Sequence, residues 1–504
     1  PMVFLAQLAR AGIQTRAGEC VLEADACDGP AILAVLRALE LPLSLVFNRG
    51  RVMVLPQGIT KATGLRELLR ASRLSEHNTI AIGDAENDHS LLELSEVGTA
   101  VAWGSTALQA SADVILPGAG PPAVAAFIKE IVARPRLPTP YLSRRHRFTL
   151  GHSDTGKLLA LAVPGRNLLI AGDPHTGKSW LAGLLCEQLI LQRYCVCVVD
   201  PEGEYTTLQS LPGVEVWGGD SLLPRPAKLA QMLQYPDVNL VVDLSRLALD
   251  DKRGYVASLL STLVMLRRRT GLPHRIVLEE AHYFLGGPEV SALIDLDHGG
   301  YTFVTYRPSQ LHPTAVAAGQ SVLVTRLTDQ NEIDATARLG GRADVTGWAE
   351  LCSSLAVGEV ALLPVTTDVT ATPRRLLLVP RLTAHVRHRQ KYLDVPIADC
   401  YAFVFTQHGV PTGVRARNMA ELTAAIRASS AEALDEHLRR WDFSSWIANV
   451  FADYPLAARL NEIERRYATD QSVDAREAVV DAIAERYVPE NALETVATLP
   501  TSSG

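Results

Sequence analysis

The sequence predicts an α/β protein with two units in which strands and helices alternate, followed by a mostly helical region. A glycine-rich motif at 172–179 lies between a strand-like apolar run and a helical pattern, the setting that a phosphate-binding loop needs. Apolar runs of strand length recur between residues 168 and 325, with helical patterns between most of them. An aspartate-rich motif at 83–88 also follows a short apolar run. Both units therefore combine strands, helices and a polar motif at a strand end.

Composition sets the limits of this prediction. The chain has 504 residues, 47% hydrophobic and 20% charged, which fits about three domains of ~100–200 residues. The net charge of −7 excludes an overall basic field that would attract nucleic acid, although a local basic patch could still do so. Seven scattered cysteines without C-x-x-C spacing predict free thiols in a reducing cytoplasm. The sequence contains no run of ~20 apolar residues, which is the length that a membrane-spanning helix needs.

The first predicted unit covers residues 1–133. Helical patterns occupy 31–41, 61–74 and 90–95, and strand-like runs occupy 43–47, 51–55, 79–82 and 99–102. Because strands and helices alternate, we expect a parallel sheet. The chain opens at Pro1 directly on apolar helix-like sequence, which predicts a fragment whose N-terminal part lies upstream.

The remaining chain divides into three predicted segments. Residues 134–147 are rich in Pro and Arg and predict a linker. Residues 148–380 form the second α/β unit, with strands expected at 168–171, 195–200, 240–243, 275–278, 302–305 and 321–325. Residues 381–504 are mainly helical in pattern, apart from an alternating strand at 401–406.

The glycine-rich motif predicts a nucleoside triphosphate site. It consists of Gly172, Asp173, Pro174, His175, Thr176, Gly177, Lys178 and Ser179. The two glycines allow backbone N–H groups to face a polyphosphate, and the following helix N-terminus adds partial positive charge. Lys178 would reach the β- and γ-phosphates, and Ser179 would hold Mg²⁺. The expected cofactors are therefore ATP and Mg²⁺.

A second acidic pair completes the expected ATPase site. The apolar run at 275–278 ends in Glu279 and Glu280. An ATPase needs one acid near the magnesium ion and one that activates the attacking water. We assign Glu279 to the magnesium side and Glu280 as general base. The alternative is an ordinary strand end followed by a charged turn.

These motifs resemble the HerA-type branch of the HerA/FtsK ATPases. The resemblance covers 148–380 and also includes the segments 200–205, 241–245, 279–282 and 324–329. It implies a ring of subunits with ATP between them. In such a ring Arg326 would act on a γ-phosphate. The alternative for Arg326 is a surface or ion-paired arginine.

Two departures from that family predict slow hydrolysis with retained ATP binding. The family usually has Asp-Glu where this chain has Glu279 and Glu280, and the extra methylene displaces a carboxylate from Mg²⁺, which tolerates little geometric error. The family usually has Gln where this chain has Tyr306, and a phenol cannot orient a water as an amide does.

The aspartate-rich motif predicts a second phosphate site. Asp84 and Asp88 follow the strand-like run at 79–82 and could hold one Mg²⁺ through oxygen ligands. Lys61, at the start of a helical pattern, could neutralise a phosphate. The alternative is a solvated acidic loop.

This pattern looks like the C-terminal half of a HAD-type, Cof-like phosphatase. Residues 57–133 match its Rossmannoid core and 1–56 the end of its cap. The resemblance implies that Asn87 assists the magnesium site and that Lys61 stabilises the phosphoryl group. The family's nucleophile lies in an Asp-x-Asp motif, and none precedes Lys61. The sequence as it stands therefore predicts no phosphatase activity.

The order of the parts resembles bacterial HAD–ATPase fusion proteins, and the segments 385–392 and 438–447 fit that resemblance. Three functions stay open. The chain could be an ATPase, a phosphatase of a small phosphorylated metabolite regulated by the ATPase part, or a non-catalytic ATP-gated assembly switch. The basic run 387–391 could contact nucleic-acid phosphates or be a solvated face.

Overall fold

The computed structural model describes residues 2–18, 20–133, 143, 145–162, 167–295, 298–317, 321–339, 347–364, 373–383, 397, 399–451, 453–469 and 474–487. Most of the predicted linker 134–147 and the whole basic run 387–391 lie outside these residues. No helix in the described part of the chain is both long and apolar enough to span a membrane. The contacts divide the chain into two units, 1–201 with 205–384, and 202–204 with 385–504.

The first 133 residues contain helices and strands of modest length. The helices are α1 (Met2–Arg10), α2 (Gly29–Ala38), α3 (Lys61–Ala71), α4 (His89–Leu94), α5 (Thr106–Ser111) and α6 (Gly120–Val132). The strands are β1 (Arg16–Ala17), β2 (Leu22–Asp25), β3 (Leu43–Asn48), β4 (Arg51–Pro56), β5 (Ile80–Gly83), β6 (Val97–Val101) and β7 (Val114–Leu116).

The parallel sheet predicted for this region is correct for its second half and wrong for its first. Strands β5, β6 and β7 pair in parallel. Strands β1 to β4 form a separate antiparallel sheet in the order β1-β2-β4-β3. The reason is the turn at Arg49 and Gly50, where β3 and β4 pair through Asn48 and Arg51. So short a connection can join only antiparallel strands.

The second α/β region, which begins at Arg147, is built on one large sheet. Its strands are β8 (Arg147–Ser153), β9 (Leu158–Ala162), β10 (Leu168–Ala171), β11 (Val196–Asp200), β12 (Val214–Gly218), β13 (Asn239–Asp243), β14 (Arg275–Leu278), β15 (Tyr301–Thr305), β16 (Ser321–Val324), β17 (Glu359–Pro364) and β18 (Arg374–Leu378). Its helices are α7 (Lys178–Leu191), α8 (Pro226–Met232), α9 (Leu249–Thr270), α10 (Val290–Leu293), α11 (Pro313–Ala317), α12 (Gln330–Leu339) and α13 (Trp348–Ser353).

The strand order is β12-β13-β11-β14-β15-β10-β16-β17-β18-β8-β9. In this order, the seven strands from β12 through β10 to β16 pair in parallel with their neighbours. The remaining pairs, from β16–β17 to β8–β9, are antiparallel. Strand β10 is buried at every residue, and its alternate side chains enter the two cores on opposite faces of the sheet. The predicted doubly wound fold is therefore confirmed. Strands β8, β9, β12, β17 and β18 were not predicted.

The C-terminal region is mainly helical, as predicted. Its elements are β19 (Phe403–Gln407), β20 (Val410–Ala416), α14 (Met419–Ala428), α15 (Ala431–Arg439), α16 (Asp442–Trp446), α17 (Tyr454–Thr469) and α18 (Ala475–Tyr487). The predicted strand at 401–406 corresponds to β19, and its hairpin partner β20 was missed. A core that includes Phe403, Phe443 and Ile483 holds the helices together.

Candidate functional site

The glycine-rich loop joins the C-terminal end of β10 to the start of α7, as the motif predicts. A Cβ at Gly172 would lie 1.9 Å from Thr325 Oγ1, so only glycine fits there. Gly177 has φ of +102°, a backbone conformation that favours glycine. His175 also adopts a positive φ of 67°, and the exposed Pro174 precedes it. The loop is therefore held in a conformation that most residues at these positions would disfavour.

Hydrogen bonds fix this loop to the residues that follow β16. The hydroxyls of Thr176 and Thr325 lie 2.7 Å apart, and Thr176 Oγ1 also donates to the Asp173 carbonyl at 2.7 Å. The Asp173 N–H donates to the Arg326 carbonyl at 2.8 Å. Thr328 Oγ1 donates to Asp173 Oδ2 at 2.8 Å. A loop held at this many points is preorganised for a ligand.

The loop lysine is buried, and its contacts leave its charge unneutralised. Lys178 is 6% exposed, and its Nζ donates to the carbonyl oxygen of Asp173 at 3.1 Å. The Tyr306 ring lies 5.9 Å from the same nitrogen. A backbone carbonyl and an aromatic face are uncharged partners, so the full positive charge of Lys178 is available to a phosphate.

The expected magnesium side of the site is assembled from two elements distant in sequence. Ser179 Oγ donates to Glu279 Oε1 at 3.2 Å. Glu279 is 1% exposed, and its other oxygen accepts a hydrogen bond from the Tyr205 hydroxyl. The Tyr205 N–H donates to Asp200 Oδ2 at 2.9 Å, which ties that tyrosine to the end of β11. A hydroxyl and a carboxylate are the oxygen donors that suit Mg²⁺.

The predicted general base lies next to this pair. Glu280 is buried and has φ of +47°, an uncommon backbone conformation for a residue other than glycine. Its Oε2 lies 3.6 Å from His282 Nδ1, which in turn lies 2.9 Å from Thr305 Oγ1. The His282 ring also meets the Tyr306 ring edge-on at 4.7 Å. Glu280 is therefore held by contacts separate from those of Glu279.

Arg326 is the second residue after β16, and its carbonyl contacts the glycine-rich loop of its own chain. The side chain is half-buried. A role on the phosphate of a neighbouring subunit stays a prediction.

The predicted second phosphate site brings three of its four residues together. Lys61 Nζ lies 2.5 Å from Asp88 Oδ1, and the N–H groups of Asp84 and Ala85 donate to Asp88 Oδ2 at 3.0 and 3.3 Å. Burial raises the pKa of the Asp88 carboxyl, but these hydrogen bonds outweigh burial and leave the pKa below its ordinary value. Arg49, at the β3–β4 turn, forms an ion pair with Asp84.

The fourth residue, Asn87, lies in the same turn, and its Oδ1 is buried without a hydrogen-bond partner in the described structure. A Cβ at Gly83 would lie 2.6 Å from the Asp88 Cβ, so glycine is required where the strand meets the turn. Carboxylate and amide oxygens here fit Mg²⁺, but Lys61 and Arg49 already neutralise both carboxylates.

Sequence reasoning missed three residues at these sites: Thr325, Tyr205 and Arg49. Tyr205 and Thr325 lie in segments that carry the resemblance to the HerA-type ATPases, but that resemblance predicts no role for these two side chains. Arg49 lies in a predicted turn. Nothing in their local sequence indicates which distant group each one contacts.

Comparison with protein families matches two separate stretches of the chain. Residues 44–128 match the haloacid dehalogenase-like hydrolases, and residues 165–260 match the central domain of helicase HerA. The chain is therefore similar to the HAD-like hydrolases over one segment and to the central domain of helicase HerA over a later one.

Individual relatives cover only parts of the chain. A phosphoglycolate phosphatase of Sulfurisphaera tokodaii is 30% identical over 86 residues, 17% of this chain and 38% of that enzyme. A phosphoglycolate phosphatase of Methanoculleus marisnigri is 35% identical over 68 residues, 14% of this chain and 29% of that enzyme. The chain thus spans well under half the length of these curated relatives. Among solved structures, VirB4 of Thermoanaerobacter pseudethanolicus is 13% identical with a TM-score of 0.36, covering 48% of this chain and 98% of VirB4.

Proposed function

We propose that this protein is a Mg²⁺-dependent, ATP-binding ATPase of HerA type attached to a HAD-type phosphohydrolase part. The contact between Ser179 and Glu279 is the observation that supports this most directly, because it places a hydroxyl and a carboxylate side by side at the start of α7. The close approach of Gly172 to Thr325 supports a loop shaped around a phosphate.

Each residue at this site has a proposed task. The backbone N–H groups of 172–177 bind the phosphates, and Lys178 neutralises their β- and γ-oxygens. Ser179 and Glu279 hold Mg²⁺, which when bound neutralises further phosphate charge. Glu280 accepts a proton from the attacking water. Arg326 acts on the γ-phosphate bound by a neighbouring subunit.

Phosphate release from Mg-ATP and calorimetric titration with ATP, each on wild type and Lys178→Ala, test the ATPase. We expect Lys178→Ala to lose ATP affinity by at least about 100-fold, since it removes the buried charge. The exposed Lys157→Ala is the matched control and should behave as wild type. Equal ATP binding by wild type and Lys178→Ala would rule out the proposed site.

The same assay with and without duplex DNA separates two uses of the ATPase. Turnover that rises with DNA indicates a translocating motor with nucleic acid as partner. Turnover that is absent in both conditions, with ATP bound, indicates an ATP-gated switch. Size-exclusion chromatography with and without ATP tests the proposed ring, and a chain that stays one size in both would contradict it.

The second candidate function is phosphatase activity on a small phosphorylated metabolite. The arrangement of Lys61, Asp84 and Asp88 favours it, as does the similarity to phosphoglycolate phosphatases. Release of phosphate from a panel of phosphorylated metabolites by the present chain tests it. We expect none, because the Asp-x-Asp nucleophile that the resemblance requires does not precede Lys61.

A further inference from the structure

A buried cluster of metal-binding side chains lies away from both phosphate sites. It consists of His77 and Glu96 from the HAD-like segment and His146, which directly precedes β8. One ligand atom from each of the three residues lies within 4.8 Å of the others. Among the residues that the structure describes, this is the one group of three or more His, Cys, Asp or Glu with such geometry.

The separations suit a common metal ion. His77 Nδ1 lies 2.7 Å from Glu96 Oε2, and His146 Nε2 lies 3.7 Å from the same oxygen. The two imidazole rings are nearly perpendicular, with centroids 5.0 Å apart. Two ligand atoms at about 2.0–2.1 Å from one tetrahedral ion lie slightly more than 3 Å apart, so small side-chain shifts would close the site.

Two of the three side chains, His77 and Glu96, are oriented by a second contact. His77 Nε2 lies 2.7 Å from the Gln192 carbonyl, to which Nε2–H donates, and His77 Nδ1 donates to Glu96 Oε2 at 2.7 Å. A metal ion would take the place of the Nδ1 proton while the Gln192 carbonyl kept the ring in position. The Tyr194 hydroxyl donates to Glu96 Oε2 at 2.8 Å, and its ring stacks on His77 at 3.6 Å. Carbonyl and hydroxyl partners of this kind orient metal ligands in known sites.

The neighbouring Arg145 anchors His146. Its guanidinium donates to Asp113 Oδ2 at 2.7 Å and to the carbonyls of Glu93 and Ser95 at 2.7 and 2.8 Å. The chain at His146 is therefore fixed against the HAD-like segment.

An ion pair alone leaves part of this cluster unexplained. Glu96 Oε1 and His146 Nε2 are buried, and neither has a hydrogen-bond partner in the described structure. Burying such atoms without a partner is costly, and a metal ion that bound His146 Nε2 and both Glu96 oxygens would satisfy both. His77 and Glu96 also line a cavity of about 360 Å³. Arg267 and Arg275 line the same cavity, so we expect an anion as fourth ligand.

We propose that His77, Glu96 and His146 bind one Zn²⁺ ion with a fourth, exchangeable ligand. Two imidazoles and a carboxylate form a ligand set that zinc uses in proteins. Because His77 and Glu96 belong to the HAD-like segment and His146 leads into the ATPase sheet, the ion would join the two segments at this point.

Metal analysis of the full chain, purified without a histidine tag, tests this proposal. The protein is equilibrated with Zn²⁺ in excess Mg²⁺, which occupies oxygen-ligand sites, and is then dialysed and analysed by mass spectrometry. We expect about one zinc ion per chain in wild type and less than about a tenth of that in His146→Ala. The exposed His152→Ala is the matched control and should retain wild-type zinc.

Two further measurements separate the loss of a metal ligand from the loss of the fold. Substitution with Co²⁺ should produce the visible absorption of a four-coordinate site in wild type and His152→Ala, and none in His146→Ala. Circular dichroism confirms that His146→Ala is folded, and His146→Cys should restore metal binding. Wild type without retained zinc, or His146→Ala with wild-type zinc, would overturn the proposal.

Discussion

The two candidate phosphate sites use the same residue types, a lysine and two acids, but the lysine is ion-paired at only one of them. Lys178 is buried at 6% exposure and contacts only an uncharged carbonyl and an aromatic ring among the contacts described above. The side chain of Lys61 is 48% exposed and forms an ion pair with Asp88. The comparison shows that a motif supplies the lysine, whereas the groups that the lysine contacts decide whether its positive charge is already neutralised by a carboxylate or is available to a ligand.

Loop geometry should produce the largest effect at the ATPase site. Gly172→Ala should weaken ATP binding by more than about 100-fold, because the added methyl group displaces Thr325 or the loop. Calorimetric titration with ATP measures this. Gly254→Ala is the control: Gly254 lies in the second turn of α9 with nothing within 4 Å of an added Cβ, and alanine there should stabilise the protein by about 1 kcal/mol. Unchanged ATP affinity in Gly172→Ala would show that the loop tolerates the displacement.

The tyrosine that stands in place of the family's glutamine should limit turnover. Tyr306→Gln should raise the rate of ATP hydrolysis by about 10-fold, because an amide can orient the attacking water. Tyr306→Phe is the control, since it keeps the ring beside Lys178 and His282 and adds no amide. A Tyr306→Gln variant as slow as wild type would place the cause of slow turnover elsewhere, for instance at Glu279.

The Tyr205 hydroxyl should matter for magnesium rather than for ATP itself. Tyr205→Phe removes the hydrogen bond that orients Glu279 and should raise the Mg²⁺ concentration for half-maximal activity by about 5-fold. Tyr255→Phe, which loses a hydrogen bond to the Pro224 carbonyl, is the matched control and should leave the Mg²⁺ requirement unchanged. If both variants required the same Mg²⁺ concentration for half-maximal activity, Tyr205 would have no role in magnesium binding.

The ion pair at the second site should have the smallest effect, and it should depend on pH. The folded pKa of Asp88 is below its ordinary value of 3.8, so this pair stabilises the fold above that value and is lost as pH falls through the folded pKa. Lys61→Met should therefore cost about 1 kcal/mol at pH 7, a small value because Lys61 is half-exposed. The cost should shrink below pH ~4.

Thermal unfolding of wild type and Lys61→Met between pH 3 and pH 7 measures this difference. The exposed Lys129→Met in the same segment is the control and should follow wild type throughout. A Lys61→Met cost that is the same at pH 3 and pH 7 would mean that its origin is packing rather than the ion pair.

The sequence indicated six of the seven parallel strands of the large sheet but only two of the four strands of the antiparallel one. Fully buried parallel strands such as β10 are continuous apolar runs, which stand out from their surroundings. Strand β1 has two residues and β2 has four, so their patterns are too short to stand out, whereas β3 and β4 were predicted as strands but not as an antiparallel pair. The turn at Arg49 and Gly50 contained the evidence for antiparallel pairing, but the alternation of strands and helices outweighed it in the prediction.

By itself, the sequence determined the fold class, the loop at 172–179 and the turn at 83–88, because each depends on residues close together in the chain. Only the tertiary structure decided which side chains meet. Thr176 contacts Thr325 across 149 positions, and Tyr205 contacts Glu279 across 74. Such pairs depend on which strands are neighbours in the sheet, and the strand order is a property of the packed fold rather than of any local segment.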